Sequence, residues 1–350
     1  MHKILTIIVP TYNMENYLGR CLDSLILPKE QMYLLEVLII NDGSKDNSLE
    51  IARQYEKMHP ETFHVIDKEN GNYGSCINRG LAEAKGKYIK VLDSDDTFDN
   101  EAFPLFVNFL TNSDVDCVIS DMIQLDMAGN KILKTSFNLP YSNSFKLSDM
   151  DFNVVRNMWM HCVCYKTENI RRIGYKQTEG ISYTDQEWIC VPMSTAKSLA
   201  YFPKVLYQYL VGRDGQTINP NVWEKNFWQE IKGAVRMIEE RNNLYPDCSD
   251  EGIAYIDARI RKRVDLIYNV FFLLFTTFEN NEEMKKLDFV VYHYNSDFYE
   301  SLNKKTYYCF SYIKYWRKSF DIFATRNRIE RMRKVRDVIK KISGIKGKKN

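Results

Sequence analysis

Three aspartates stand within four positions, directly after a short apolar run. Asp93, Asp95 and Asp96 follow the β-prone residues 88–92. Carboxylates this close repel one another unless a positive charge lies among them. A D-x-D pattern can hold a hard divalent cation, and such a cation can hold a diphosphate. The pattern therefore predicts a cation site, with a merely solvated acidic loop as the alternative.

Apolar runs interrupted by polar turns predict the elements that would position these acids. The expected strands are 5–9, 35–40, 63–66 and 88–92, and the expected helices between them are 15–27, 46–58 and 73–84. This alternation predicts a mostly parallel sheet with helices on both faces. The carboxyl ends of parallel strands share one edge, where ligands bind. We therefore expect the turns 10–13, 41–44 and 93–96 to converge.

The rest of the chain changes character twice. A fifth strand is expected from residue 116, and residues 121–219 then read as mixed strand and loop, whereas residues 220–350 read as helices with aromatic packing faces. We place a boundary near Asn219, between domains at 1–219 and 220–350. Residues 326–350 carry a net charge of +9 and the remaining chain −7. Such a basic tail suits an anionic membrane surface, with a solvated tail as the equal alternative; nucleic acid is not expected, since no binding module accompanies the charge.

The eight cysteines are scattered, and no secretory signal precedes the first expected strand. We interpret them as reduced thiols of a cytoplasmic protein, peripheral at the membrane if the tail binds lipid. His161, Cys162 and Cys164 alternate with apolar residues, which favours a strand over a zinc site because no matching ligand pair follows.

Taken together, residues 5–217 resemble the inverting glycosyltransferases of family 2, which have the GT-A fold. The segment IIVPTYN is similar to the family's first strand and nucleotide loop, which implies donor contacts from Pro10, Thr11, Tyr12 and Asn13. The resemblance divides residues 1–219 into a nucleotide-binding half, 1–120, and an acceptor half, 121–219.

The segment INDGS resembles the family's second-strand signature, with Asn41 where an aspartate is usual and Asp42 retained. The resemblance implies that Asp42 accepts the N–H of uracil, a donor that a carboxylate suits. Capping of the next helix is the alternative.

Residues 69–80 occupy the place of the family's glycine-rich segment, which implies that Asn70, Gly71 and Asn78 line the nucleotide site. Ile77 stands where an arginine is usual. The resemblance implies that Asp93 lies toward the ribose beside Ser94, and that Asp95 ligates Mn²⁺ or Mg²⁺. Asp96 is expected either to cap a helix beginning near residue 100 or to support the cation site.

In the acceptor half, residues 180–188 resemble the family's E-D segment, with Thr184 replacing the glutamate. This implies that Asp185 is the general base that deprotonates the acceptor hydroxyl. A helix N-cap is the alternative role. Arg213, between Gly212 and Gly215, is expected in a closing loop from which it reaches the diphosphate, or else in an ordinary turn.

We therefore expect a metal-dependent inverting glycosyltransferase that uses a nucleotide-sugar, most readily a UDP-sugar, and a glycan or lipid-linked acceptor in surface polysaccharide synthesis. A sugar nucleotidyltransferase is disfavoured because residues 10–16 contain neither glycine nor a basic residue. A non-catalytic nucleotide-sugar-binding protein is disfavoured because it would need Asp95 but not Asp185. The sequence does not specify the sugar, the acceptor, the linkage or the oligomeric state.

Overall fold

The structure, a computed structural model, describes residues 2–140, 144–151, 154, 157–213, 215–216, 220–244, 248–274 and 281–342. Its strands are β1 (Leu5–Thr11), β2 (Leu35–Asn41), β3 (Phe63–Asp67), β4 (Tyr88–Val91), β5 (Thr97–Phe98), β6 (Cys117–Leu125), β7 (Lys131–Thr135), β8 (Val163–Lys166) and β9 (Leu199–Leu210).

The helices are α1 (Leu18–Asp23), α2 (Lys29–Met32), α3 (Ser48–Met58), α4 (Asn72–Glu83), α5 (Ala102–Thr111), α6 (Thr167–Arg172), α7 (Asp185–Ser194), α8 (Pro220–Leu244), α9 (Asp250–Asn269), α10 (Asn281–Tyr294), α11 (Ser296–Leu302), α12 (Tyr312–Ser319) and α13 (Ile322–Ile342). A π-helical turn, Val270–Leu274, follows α9, and 3₁₀ turns occupy Leu147–Asp149 and Met160–Cys162.

The described strands form one mixed sheet in the order β3-β2-β1-β4-β8-β6-β9-β5, with β7 on β6. The first four strands of this order are parallel, as expected from their alternation with helices. Strands β1 and β2 are buried along their whole length, which explains their continuous apolar runs. The expected convergence of strand ends therefore holds in this half of the sheet.

Beyond β4 the sheet is largely antiparallel. Strand β8 pairs antiparallel with both β4 and β6, while β9 runs parallel to β6 and antiparallel to β5. The interpretation of His161 and Cys162 as strand residues is wrong, because both lie in the 3₁₀ turn that precedes β8. The architecture is GT-A-like, with a helical C-terminal region, as predicted.

Two glycines let α4 pack closely on its surroundings. A Cβ on Gly80 would lie 2.6 Å from the Ile8 side chain, and one on Gly74 would lie 1.9 Å from the carbonyl oxygen of Thr178. Nearby, the backbone N–H of Gly180 donates to Gly71 across 3.1 Å. The start of α4 is thus fixed against residues 178–180, which lead into α7.

The chain divides into two compact units, residues 1–217 with 240–258, and residues 218–239 with 259–350. In the second unit, α12 and α13 are separate helices, because Phe320 between them has a left-handed backbone (φ 51°). Asn219, at the expected boundary, and residues 343–350 of the basic tail lie outside the described residues. None of the described helices is both long enough and apolar enough to span a bilayer.

Candidate functional site

Asp93 lies at the end of β4, among side chains from distant parts of the chain. Its Oδ1 accepts a hydrogen bond from the Tyr73 hydroxyl at 2.8 Å, and its Oδ2 lies 3.6 Å from Nε2 of His161. Its backbone N–H donates to the Tyr207 hydroxyl at 3.1 Å. Asp93 is therefore held by an aromatic from α4 and by residues of the antiparallel half.

Asp96 is fully buried and does not cap the next helix. Its two oxygens accept hydrogen bonds from the Tyr207 hydroxyl and the Leu210 N–H, both at 2.7 Å. Helix α5 begins later than expected, and Asp99 instead accepts from the N–H groups of its first turn. Burial, with the charges of Asp95 and Asp93, raises the pKa of Asp96 well above its usual range. The capping interpretation of Asp96 is wrong.

Asp95 is ion-paired with Arg213, and both side chains are mostly buried. The Arg20 guanidinium donates to the Asp95 carbonyl at 2.7 Å, which fixes the loop from the side of α1. Burial and the charge of Asp93 raise the pKa of Asp95, and Arg213 acts against them. A basic side chain thus lies among the strand-end acids, beside the buried Ser94.

A histidine that the sequence pattern disfavoured as a metal ligand belongs to this cluster. One ligand atom each from Asp93, Asp96 and His161 lie within 4.8 Å of one another, a grouping that could hold a metal ion. The carboxylates suit a hard divalent cation and the imidazole suits a transition metal, so the donor set fits either cation expected here. Only the position of His161 before an apolar alternating run signalled that it would be buried beside β4.

Asp42 forms a second polar cluster at the neighbouring strand end. Its carboxylate is ion-paired with Lys68 and accepts the Gly71 N–H at 3.0 Å, while the Asn70 amide donates to its carbonyl at 2.9 Å. Its own N–H donates to the Thr11 carbonyl. Helix α3 begins at Ser48, whose N–H is accepted by Asp46 instead. Capping by Asp42 is therefore wrong.

The departure from the expected pattern at Asn41 has a structural reason. Asn41 and Asp67 are paired across β2 and β3, and the amide of Asn41 donates to the Asp67 carboxylate at 2.7 Å. Asn41 is buried. A second carboxylate there would face the Asp67 carboxylate without a donor between them, so an amide suits this position.

The loop after β1 approaches the Asp42 cluster from the other side. Pro10 and Thr11 are buried at the end of the strand, whereas Tyr12 is 46% exposed. Asn13 has a left-handed backbone (φ 54°), and its carboxamide oxygen accepts the N–H of Lys45 at 2.8 Å. The exposed ring of Tyr12 is thus carried on a loop that is tied to the turn after β2.

Asn78 does not point into either cluster. Its amide donates to the Gln177 carbonyl at 2.9 Å and to Glu179 at 2.8 Å, and its oxygen accepts the Gln177 N–H at 2.8 Å. These bonds use its whole carboxamide to join α4 to residues 177–179. Nearby on α4, Ile77 is in the core and Arg79 pairs with Glu83 on the surface.

Asp185 is the first residue of α7, and Thr184 is the N-cap residue. The N-cap alternative for Asp185 is therefore wrong. The Thr184 hydroxyl accepts from the buried amide of Gln177 at 2.7 Å, and Asp185 accepts from Gln186 at 3.0 Å. The partly exposed Asp185 carboxylate thus stands at a helix start, where negative charge is favoured.

Tyr73 connects Asp185 with the strand-end acids. Burial, the charge of Asp93, the hydrogen bond to Asp93 and then the charge of Asp185 together raise the pKa of Tyr73 well above its usual range. The phenol therefore stays protonated and donates to Asp93 while Asp185 lies within electrostatic reach. Tyr73 is thus in contact with Asp93, and its pKa responds to the charge of Asp185.

Comparison with known proteins gives a consistent family assignment. Residues 6–174 match the model of "Glycosyl transferase family 2". An uncharacterised glycosyltransferase of Mycoplasma pneumoniae is 44% identical over 102 residues, which cover 29% of this chain and 34% of that protein. Chondroitin synthase of Pasteurella multocida is 34% identical over 279 residues, 77% of this chain and 28% of that enzyme. The chain thus spans about a third or less of these two relatives.

Among solved structures, residues 1–349 of S. aureus TarS in complex with UDP-GlcNAc superpose with a TM-score of 0.69 at 18% identity, covering 95% of this chain and 92% of that one. At this identity the superposition establishes the fold. The chain therefore carries a glycosyltransferase domain of family 2 with the GT-A fold.

Proposed function

We propose that the chain is a metal-dependent, inverting glycosyltransferase that transfers a sugar from a nucleotide-sugar to a hydroxyl of a glycan or glycolipid. The observation that carries the proposal is the position of Tyr73, which bonds to Asp93 and lies within electrostatic reach of Asp185. The carboxylate proposed for the donor side and the one proposed for the acceptor side thus both act on the same buried tyrosine, which supports their working in a single displacement.

The Asp42 cluster supports a UDP-sugar as donor. Lys68 places its ammonium group beside the Asp42 carboxylate, so the two side chains together present a hydrogen-bond donor and a hydrogen-bond acceptor. The edge of uracil carries an N–H between carbonyl oxygens, which matches this arrangement. The exposed Tyr12 ring lies on the adjoining loop and provides a surface on which a base can stack. UDP-GlcNAc in the TarS complex is consistent with this donor class.

For the chemistry, Asp95 with its acidic neighbours would hold Mn²⁺ or Mg²⁺, which stabilises negative charge on the leaving diphosphate. Arg213, which is paired with Asp95, would lie beside such a cation, and its guanidinium could bond bidentately to phosphate oxygens of the donor. Asp185 accepts the proton of the acceptor hydroxyl as that oxygen attacks the face opposite the diphosphate, which inverts the anomeric centre.

Calorimetric titration of UDP with and without Mn²⁺ tests the donor site. We expect UDP affinity to depend on Mn²⁺ in the wild type and to lose that dependence in Asp95→Ala, while Asp297→Ala, an exposed change in α11, behaves as the wild type. Hydrolysis of a nucleotide-sugar panel then identifies the sugar. Equal UDP affinity with and without Mn²⁺ in wild type and Asp95→Ala alike would contradict the proposal.

We further propose surface polysaccharide or glycolipid synthesis at the cytoplasmic face of a membrane, which the chondroitin synthase relative and the basic tail support. On α13, Arg331 and Lys334 are exposed near Phe323 and Val335, so charge and apolar surface occur together. Ile329 is buried, so the truncation must leave it in place. Ending the chain at Asp337 keeps Ile329 and removes residues 338–350, which contain five lysines. We expect reduced co-sedimentation with phosphatidylglycerol vesicles; unchanged co-sedimentation would overturn this placement.

A further inference from the structure

His161 is buried beside the strand-end acids with unused binding capacity. The residue is 7% exposed, and within the described part of the chain its Nδ1 has no hydrogen-bond partner. Its ring lies against Tyr207 and Tyr209, with centroid distances of 4.6 and 4.9 Å. Buried polar atoms in proteins nearly always have a partner. An imidazole that packs against two aromatic rings while its Nδ1 has no hydrogen-bond partner among the described residues therefore indicates a site for a bound ion or molecule.

A buried lysine on β4 fixes the turn that carries His161. Lys90, on β4, is completely buried and donates to the carbonyls of His161 and Val163 at 2.7 and 3.2 Å. Burying an amine is unfavourable, and burial lowers the pKa of Lys90. Because these bonds go to the backbone of the turn and of the first residue of β8, the lysine holds the segment that carries the His161 ring beside Asp93.

Two carboxylates complete the group. Nε2 of His161 is 3.6 Å from Asp93, and one ligand atom from each of Asp93, Asp96 and His161 lies within 4.8 Å of the other two. Asp96 is oriented by Tyr207 and by the Leu210 N–H. Asp93 and Asp96 are thus each held by bonds to other elements, and the turn that carries His161 is held by Lys90, a supported arrangement of the kind that orients metal ligands.

We propose that His161 is a nitrogen ligand of the divalent cation, and that it makes this site select Mn²⁺ over Mg²⁺. The proposal rests on the metal dependence proposed above and narrows it. Mg²⁺ takes oxygen ligands in near-ideal octahedral geometry and dehydrates reluctantly, whereas imidazole is a good ligand for divalent transition metals. Replacing one oxygen ligand by imidazole nitrogen therefore penalises Mg²⁺ more than Mn²⁺.

Pulsed electron paramagnetic resonance of Mn²⁺ in the wild-type protein tests the ligand directly. We expect nitrogen modulation from one imidazole, which changes when the protein is grown with ¹⁵N-histidine. This measurement needs no variant, so it does not depend on how a substitution folds. Mn²⁺ that binds without histidine nitrogen coupling would overturn the proposal, and if UDP binding still requires Mn²⁺ in that sample, the proposed glycosyltransferase function stands.

Competition between Mn²⁺ and Mg²⁺ tests the selectivity. In His161→Gln, which keeps an oxygen or amide at similar reach, we expect nitrogen modulation to vanish and the Mn²⁺ preference to fall by about tenfold or more, the lower range for disturbed metal shells. His293→Gln, on the exposed face of α10, is the matched control and should keep both properties. A folded His161→Gln protein with unchanged selectivity would also overturn the proposal, and a wild type that binds neither Mn²⁺ nor UDP would overturn the proposed function with it.

Discussion

The two halves of the strand-and-helix unit fix their polar side chains in different ways. In the parallel half, Asp42 is held by Lys68 and Gly71, which are 26 and 29 residues away. In the antiparallel half, Tyr207 bonds to Asp96 across 111 residues, and the His161 carbonyl is reached by Lys90 across 71. The first arrangement follows from neighbouring strand ends, whereas the second exists only when the whole sheet has assembled.

On the function proposed above, this difference separates nucleotide recognition from chemistry. The parallel half presents acids at strand ends, where any ligand of the sheet edge would meet them. The antiparallel half brings His161 and Arg213 to the acids after β4 from two separate segments. Substitutions at these antiparallel positions should therefore disturb cation binding or the reaction, and those around Asp42 should disturb nucleotide binding or stability.

The largest expected effect is on the reaction itself. Asp185→Asn removes the proposed base but keeps the size of the side chain, and the N-cap residue Thr184 is untouched. We expect transfer to fall by at least about a hundredfold, within the range for loss of a general base. UDP affinity and melting temperature should stay near wild-type values, and Asp126→Asn, in the β6–β7 turn, is the matched control.

A wild-type transfer rate in Asp185→Asn would remove Asp185 from the chemistry. The buried Glu187 would then be the next carboxylate to test, although it already accepts the Thr178 N–H at 2.8 Å. Such a result would break the division between the two halves, since the antiparallel half would lose its predicted reactive group.

A second prediction concerns Asn41, where β2 departs from the family pattern, and its partner Asp67. Asn41→Asp would set a buried carboxylate against Asp67 and should lower the free energy of unfolding by about 2–3 kcal/mol, the cost of losing a bond to a charged group. The swap Asn41→Asp with Asp67→Asn restores a donor and should recover most of that loss. Urea denaturation of the wild type, the two single variants and the double variant measures the coupling free energy between the two positions. An unstable double variant would show that the bond to Asp67 does not explain the asparagine at position 41.

The third prediction distinguishes an effect on the cation site from a general loss of stability in the antiparallel half. Tyr207→Phe removes the hydroxyl that donates to Asp96 and accepts from Asp93, and should cost about 1.5 kcal/mol of stability. Tyr201→Phe loses a similar bond to Asp121, at 2.6 Å, away from the site. We expect thermal unfolding to report losses in both variants but calorimetry to report weaker Mn²⁺ binding in Tyr207→Phe alone. Equal Mn²⁺ affinities in the two variants would contradict this.

The sequence predicts the parallel half far better than the rest. Strands β1 to β4 and the acids after β2 and β4 are visible because burial on both faces produces continuous apolar runs that end in polar turns. His161 and Tyr207 carry no such signal, because their positions depend on the pairing of strands that are far apart in the sequence. Lys68 follows the neighbouring strand β3, but no sequence pattern marks it as the partner of Asp42. Asn78 shows the converse: it lies in a recognisable segment, yet its bonds run to Gln177 and Glu179.

The smallest expected effect belongs to a turn of the parallel half. Asp46 accepts the N–H groups of Ser48 and Glu15, each at 3.0 Å. Although burial acts to raise the pKa of Asp46, hydrogen bonds from the Ser48 hydroxyl and from these backbone N–H groups outweigh it and lower the pKa below its ordinary value. Asp46→Ala should therefore cost about 1 kcal/mol at pH 7, as for other lost helix caps.

The pH dependence of this cost tests the carboxylate itself. A group whose pKa is lower in the folded state contributes stability above its unfolded pKa of about 3.9, and loses that contribution as the pH falls through the folded pKa. The difference in the free energy of unfolding between wild type and Asp46→Ala, measured by urea denaturation, should therefore become smaller from pH 7 to about pH 3. A gap that stays constant would mean that the charge does not hold the turn, and that even this local contact depends on the packing around it.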